Sequence, residues 1–133
     1  MEGLKEKALN HIRLNGPVLP VQISKVVGRD LFFSGAILSE LLSEKRIKIS
    51  NAKVGSSPIY YMPGQEEKLQ VLYKGLPERE KEAYDLLKNK KIISDKEVDP
   101  AIRFALRSIK DFAIPFYLDL GKGPEVVWKW YLL

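Results

Sequence analysis

Residues 20–50, PVQISKVVGRDLFFSGAILSELLSEKRIKIS, decide the fold that we predict for the first half of this chain. Pro20 suits the first turn of a helix, where its missing N–H loses no hydrogen bond, and Gly28 ends that helix. Asp30 suits the N-cap of a second helix of about fifteen residues. The alternating residues 47–49 then predict a strand. The stretch therefore predicts two helices joined by a tight turn and followed by a strand.

The pattern extends in both directions from this stretch. Apolar residues at helical spacing in residues 4–12 predict an earlier helix, and we expect Gly16 to end it in a left-handed cap. Residues 18–19 predict a short strand, residues 51–58 a polar loop, and residues 59–62 the strand that returns from the loop. The first unit is thus predicted to contain three helices and a β-hairpin.

The third helix of this unit has two predicted faces. The inward face holds Gly35 and four leucines, namely Leu31, Leu38, Leu41 and Leu42. The outward face carries the remaining large and polar residues, namely Phe32, Phe33, Ala36, Ser39, Glu40 and Ser43. We expect the core or a partner to cover at least one of the two phenylalanines, whereas an exposed pair would mark a protein-binding patch.

A connector leads to a second unit with the same order of elements and almost no residue identity. Residues 65–74 predict a helix that could join the units or pack against a second copy of the chain. Pro77 then opens a helix, and residues 92–93 supply the short strand. Ser94 and Glu97 have the spacing of a capping box, which predicts a very short second helix.

The third helix of the second unit begins with Asp99 as the predicted N-cap and Pro100 at the first helical position. Its inward residues are apolar, namely Ile102, Ala105, Leu106, Ile109 and Phe112. Another face carries a basic stripe, namely Arg103, Arg107 and Lys110. The stripe either contacts phosphate and guanine or is an ordinary solvated surface, with Asp99 paired to Arg103 and Asp111 to Arg107.

A hairpin closes the second unit. Residues 116–119 and 126–133 predict its strands, with Lys122 in the turn between them. The alternation places Trp128 and Trp130 on one face, which we expect to pack on the core. The opposite face of that strand is predicted to need a cover from another domain or a second copy.

Composition limits the classes of function. Hydrophobic residues make up 45% and charged residues 29%, which is typical of a globular protein, and the net charge of +5 favours anionic partners. The chain has no cysteine and one histidine, His11, so no zinc site or Ser–His pair is predicted. No signal peptide is found, and no apolar run approaches the roughly 18 residues of a membrane span. These features predict a soluble, cytoplasmic protein that is not an enzyme and needs no metal or cofactor. The many Lys and Glu residues are typical of a thermophile.

Positive charge is concentrated in the first half. Residues 1–64 carry a net charge of +4 and residues 65–133 a net charge of +1. Six cations flank the third helix of the first unit, namely Lys25, Arg29, Lys45, Arg46, Lys48 and Lys53. Flanking cations suit contacts with phosphate, although an ordinary solvated surface would carry similar residues.

The chain resembles tandem winged helix-turn-helix proteins of the archaeal and bacterial transcription-factor type. Residues 23–47 carry the likeness most clearly, with Gly28 at the turn and residues 45–47 leading into the hairpin, or wing. The resemblance implies an α+β fold, mostly α, with winged domains at residues 1–64 and 76–133 and a connector at 65–75. It also implies binding of double-stranded DNA through the third helices and the wings, at Ser34, Ser39, Lys48, Lys53, Arg103, Arg107, Lys110 and Lys122.

A protein-interaction module is the alternative function, because tandem winged helices also act as assembly pieces. The absence of Arg and Lys from the centre of the first third helix favours this alternative. Phe32 and Phe33, or the carboxy-terminal strand, would then bind a protein partner or a second copy. A DNA-binding protein should instead present both basic surfaces on one side of the molecule.

Overall fold

The computed structural model describes residues 2–133, and the chain divides into two compact units. The first unit ends at Val71 and the second begins at Leu72. Both contain helices and antiparallel strands, so the predicted α+β class is confirmed. The division falls within the connector that we predicted, which is a 3₁₀ helix, Glu66–Gly75.

The first unit has the predicted order of elements. They are α1 (Glu2–Asn15), α2 (Pro20–Val27), α3 (Leu31–Ser43), β1 (Lys48–Val54) and β2 (Ser57–Tyr61). β1 and β2 pair as an antiparallel hairpin. The short strand after α1 is reduced to one bridge, in which Val18 pairs with Tyr60 of β2.

In the first unit, the helix ends follow the sequence signals except at Gly16. Pro20 begins α2, Gly28 ends it in a left-handed conformation, and the Asp30 carboxylate accepts a hydrogen bond from Phe33 N at 2.8 Å. The predicted left-handed cap at Gly16 is wrong, because the positive-φ glycines of the chain do not include it. A Cβ atom there would lie 2.5 Å from the backbone oxygen of Ile12, so close approach explains this glycine.

The buried face of α3 is rotated from the predicted one. Leu31 is 55% exposed, whereas Ser34 and Ile37 are fully buried. Leu38 and Leu41 are buried as predicted, and the small Ser34 can be buried beside them because its hydroxyl is hydrogen-bonded inside the helix. The core of the unit consists of Ala8, Leu9, Ile12, Val18, Ile23, Val27, Ile37, Leu38, Leu41 and Ile47.

The hairpin is longer and its turn is tighter than predicted. The expected loop at residues 51–58 is mostly strand, with a turn at Gly55, whose φ is 63°. The register shifts between Ile49 and Lys53. Next to this irregularity, the Ser50 hydroxyl donates to Ala52 O and accepts from Ile59 N. The sequence did not indicate these strand residues because most of residues 51–57 are small or polar and show no apolar alternation.

The second unit contains two longer helices and one three-stranded sheet. Its elements are α4 (Glu78–Lys90), β3 (Ile92–Ser94), α5 (Pro100–Ser108), β4 (Ala113–Asp119) and β5 (Pro124–Trp130). The strand order is β3-β5-β4. The predicted short second helix is a single 3₁₀ turn, Asp95–Glu97. Asp99 caps α5 as predicted, but the Ser94 capping box does not form, because that hydroxyl bonds Glu125 Oε1 at 3.4 Å.

The core of the second unit is rich in aromatic side chains. The ring of Tyr84 lies 4.9 Å from Phe112 and 5.0 Å from Trp130, edge to face in both cases. Burial raises the pKa of Tyr84 to about 12. Trp128 and Trp130 are both buried, as predicted. Val127 on the opposite face is also only 4% exposed, so the predicted need for a cover does not hold at this position of the central strand.

Candidate nucleic-acid interface

The exposed face of α3 is where the sequence predicts contact with a partner. Phe32, Ala36, Ser39 and Ser43 are all exposed, and their helical spacing places them in one line, which we call the α3 line. Phe32 is 89% exposed. None of the four residues is charged. The line therefore offers an apolar group near the start of α3 and hydroxyl groups further along it.

The two phenylalanines of α3 have different surroundings. Phe33 is half-buried against the core of the first unit, and the guanidinium carbon of Arg29 lies 5.7 Å from the centre of its ring. Phe32 projects into solvent. The prediction that at least one phenylalanine is covered is confirmed by Phe33, and the exposed pair does not occur.

Ser34 is not available to a partner in this structure. It is fully buried, and its hydroxyl donates to the backbone oxygen of Asp30 at 2.9 Å. This burial does not fit the contact with DNA at Ser34 that the resemblance implied. Ser39 is exposed, and its contact with DNA stays a prediction.

An apolar groove lies beside the start of α3. Its volume is about 260 Å³, and it is lined by the start of α2, the start of α3 and the turn of the hairpin. The lining residues are Leu19, Pro20, Val21, Leu31, Val54, Ser56 and Ser57. The groove places the hairpin turn next to the first residue of α3, so these two elements form one continuous surface.

Several acidic side chains of the first unit surround one buried lysine. Lys5 is 3% exposed, and its Nζ lies 2.6 Å from Glu44, 2.9 Å from Glu40 and 3.0 Å from Glu2. Its hydrogen bonds, above all the one to Glu44, hold the pKa of Lys5 above its ordinary value. The same contact lowers the pKa of Glu44. Lys5 therefore offsets part of the charge of these three carboxylates.

The six cations that flank α3 fall into two groups. Arg46 lies 2.8 Å from Glu6, and Lys48 lies 3.5 Å from Glu66, so both are in ion pairs. Within residues 2–133, the other four form no ion pair, and all are exposed; they are Lys25, Arg29, Lys45 and Lys53. We call these four the flanking cations. Arg29 also donates to its neighbour Gly28 O at 3.2 Å.

The two arginines of α5 are held by their own unit. Arg107 donates from Nη1 and Nη2 to the two carboxylate oxygens of Asp95, at 2.7 and 3.0 Å. Arg103 donates from Nε to the backbone oxygens of Asp95 and Val98, at 2.9 and 3.1 Å. The Asp99 side chain caps α5 instead of pairing with Arg103. Arg107 pairs with Asp95, whereas we predicted a pair with Asp111. Both arginines are therefore hydrogen-bonded to the turn at residues 95–97.

Asp95 is the residue that the sequence analysis missed. Its Oδ1 also accepts from Trp128 Nε1 at 2.9 Å, so one carboxylate joins the turn, α5 and β5. The Arg107 guanidinium, which holds the pKa of Asp95 below its usual value, also lies 5.4 Å from the centre of the Trp128 ring. The sequence did indicate an acidic side chain in a segment too short for a helix. We interpreted that segment as a capping box formed by Ser94 and Glu97, and so assigned Asp95 no role.

The remaining candidate cations of the second unit are exposed. Lys110 lies just beyond the end of α5, and Lys122 lies in the turn between β4 and β5. Neither forms an ion pair within the described part of the chain. The exposed apolar side chains of the sheet lie mainly on β4, where Tyr117 is 73% exposed, rather than on the carboxy-terminal strand as predicted.

Comparisons with known proteins give no assignment, because no model of a known protein family matches the chain and no curated protein matches it. Among residues 2–133, no three His, Asp or Glu side chains converge in a way that could hold a metal ion. None of the helices in this described range combines the length and apolar composition needed to cross a membrane.

Proposed function

We propose that the chain binds double-stranded DNA through its first unit, with α3 in the major groove and the hairpin beside it. This is the arrangement of the winged helix-turn-helix proteins that the sequence resembles. The observation that carries the proposal is the charge distribution of residues 2–71. Six of the seven acidic side chains there are held by cations or backbone N–H groups, namely Glu2, Glu6, Asp30, Glu40, Glu44 and Glu66.

Most cations of the same unit are not paired with those acidic side chains. Three of its ten Lys and Arg residues are in ion pairs, and the four flanking cations lie before α3, after it and on the hairpin. A surface with unpaired cations and the uncharged α3 line between them suits phosphate on either side of a groove. In the second unit, Arg103 and Arg107 would have to leave the Asp95 turn to bind DNA, so Lys110 and Lys122 are its candidate phosphate contacts.

Fluorescence anisotropy of a labelled random duplex, measured between about 50 and 200 mM salt, tests the proposal. Nonspecific binding should have a Kd of about 10⁻⁶ to 10⁻⁴ M and should weaken steeply with salt. The variant Lys25→Gln/Arg29→Gln/Lys53→Gln should bind more weakly at every salt concentration. The slope of log K against log salt should decrease by about 0.9 for each phosphate contact that is lost.

The matched control removes charge from the same unit outside α3 and the hairpin. Lys7 on α1 and Lys68 on the 3₁₀ helix are exposed, so Lys7→Gln/Lys68→Gln lowers the net charge without touching the flanking cations. This variant should keep the wild-type salt slope. Absence of binding at 50 mM salt by the folded chain, or equal losses in both variants, would contradict the proposed interface.

A protein-interaction module is the second candidate function. The observation that favours it is the apolar groove beside α3 together with the 89% exposure of Phe32. This function predicts self-association or partner binding that depends on Phe32 and not on the flanking cations. Sedimentation velocity of the wild type, of Phe32→Ala and of the triple cation variant, all without DNA, tests this function, since self-association should weaken in Phe32→Ala and persist in the cation variant.

A further inference from the structure

The α3 line lacks the side chains that make bidentate hydrogen bonds to bases. Bidentate contacts to guanine or adenine require Arg, Lys, Asn or Gln, and the line consists of Phe32, Ala36, Ser39 and Ser43. Phe32 is the second residue of α3, and the first residues of a recognition helix are those that meet base edges. Sequence discrimination on this face must therefore depend largely on apolar contact.

We propose that Phe32 packs against the C5-methyl group of thymine in the major groove, so that the first unit prefers A·T-rich duplex DNA. The inference rests on the proposed function. Thymine is the natural base that presents a methyl group in the major groove, and phenylalanine and alanine are suitable partners for it. Ala36 lies one turn further along the same line, so a second methyl group has an apolar neighbour there.

Charge complementarity identifies duplex DNA as the occupant of this apolar surface. The flanking cations lie before α3, after it and on the hairpin, and the α3 line contains no carboxylate that would repel phosphate. The groove beside Leu31 continues the apolar surface to the hairpin turn, where Lys53 precedes Val54. A partner must therefore combine regularly spaced negative charge with small apolar projections, and the thymine-bearing major groove has both.

Four duplexes of one length test the inference by fluorescence anisotropy at a fixed low salt concentration. The first is an A·T duplex, and the second has every thymine replaced by uracil. The third and fourth are G·C duplexes prepared with cytosine and with 5-methylcytosine. Burial of one methyl group corresponds to about a fourfold change in Kd. The wild type should bind the uracil duplex about fourfold more weakly for each methyl contacted, and 5-methylcytosine should strengthen binding to the G·C duplex.

Phe32→Ala should bind thymine and uracil duplexes equally while keeping the wild-type salt slope. Its matched control is Phe104→Ala, because Phe104 is 75% exposed on α5 and the change removes the same side chain from the other unit. The control should keep the preference for thymine. Circular dichroism checks that both variants fold, and Phe32→Leu, which retains an apolar group, should keep part of the preference.

The outcomes separate this inference from the function on which it rests. No binding to any duplex would overturn both. Salt-dependent binding that treats thymine and uracil alike would overturn the methyl contact and leave DNA binding standing. A preference for thymine that persists in Phe32→Ala would overturn the assignment to Phe32.

Discussion

Replacing Asp95 with alanine should destabilise the second unit, because this one carboxylate joins a turn, a helix and a strand. Trp128 is 5% exposed, so its indole N–H would lose its partner in a buried position, which costs about 1–3 kcal/mol. The Arg107 side chain is 48% exposed, so loss of the ion pair adds only about 1 kcal/mol after screening by solvent. We expect the free energy of unfolding to fall by about 2–4 kcal/mol.

Urea denaturation followed by tryptophan fluorescence measures this loss, since both tryptophans of the chain lie in the second unit. Glu97→Ala is the matched control, because it removes an exposed carboxylate from the same turn and should change stability by less than about 0.5 kcal/mol. Asp95→Asn keeps an acceptor for Trp128 and should fall between the two. Equal stability of Asp95→Ala and Glu97→Ala would refute the structural role of Asp95.

The pH dependence gives an independent readout of the same carboxylate. The Arg107 guanidinium holds the pKa of Asp95 below its ordinary value in the folded chain. A lowered folded pKa means that the stabilisation is present above the unfolded value of about 3.9 and is lost as the pH falls through the folded value. The wild type should therefore lose its advantage over Asp95→Asn in acid, which urea titrations at pH 7 and below pH 4 would measure.

Three further substitutions test the first unit by urea denaturation. Gly35→Ala should stabilise it by about 0.5–1 kcal/mol, because nothing lies within 4 Å of the added Cβ and alanine is the better helix former; a loss would mean that the helix backbone needs glycine there. Gly16→Ala should destabilise by about 1–3 kcal/mol, because its Cβ would meet Ile12 O at 2.5 Å, and a neutral result would contradict that geometry. Lys5→Gln should lower the urea midpoint at pH 7 while Lys7→Gln leaves it unchanged; because the pKa of Lys5 is raised, its contribution should persist until the pH exceeds the ordinary lysine value.

Local signals were enough to predict most helix ends. Asp30 and Asp99 cap α3 and α5 through side-chain hydrogen bonds, and Pro20 and Pro100 begin their helices, because these effects depend only on neighbours in the sequence. The role of Gly16 was predicted wrongly because glycine is required there by tertiary contacts. A Cβ there would also meet the Oε1 atom of Gln65, far along the chain, and the sequence near Gly16 contains no sign of that contact.

The candidate site was harder to predict than the fold, because exposure and pairing are tertiary properties. The sequence identified the flanking cations, but it did not show that Arg46 and Lys48 pair with Glu6 and Glu66. A contact at Ser34 was implied only by the resemblance to winged-helix proteins, whereas a hydrogen bond within the helix allows this residue to be buried.

The second unit has a single 3₁₀ turn where a short helix was predicted, and this turn explains why its arginines differ from the flanking cations of the first unit. The turn at residues 95–97 is too short to bury an apolar face, so polar contacts from α5 and β5 must hold it in place. Arg103 and Arg107 supply most of those contacts, and a phosphate could engage them only in competition with Asp95 and its neighbouring carbonyls. The first unit has a full α2 that buries Ile23 and Val27, so its cations have no such task. Affinity for DNA is therefore expected to depend on the first unit, and truncating α5 arginines would report on folding rather than on recognition.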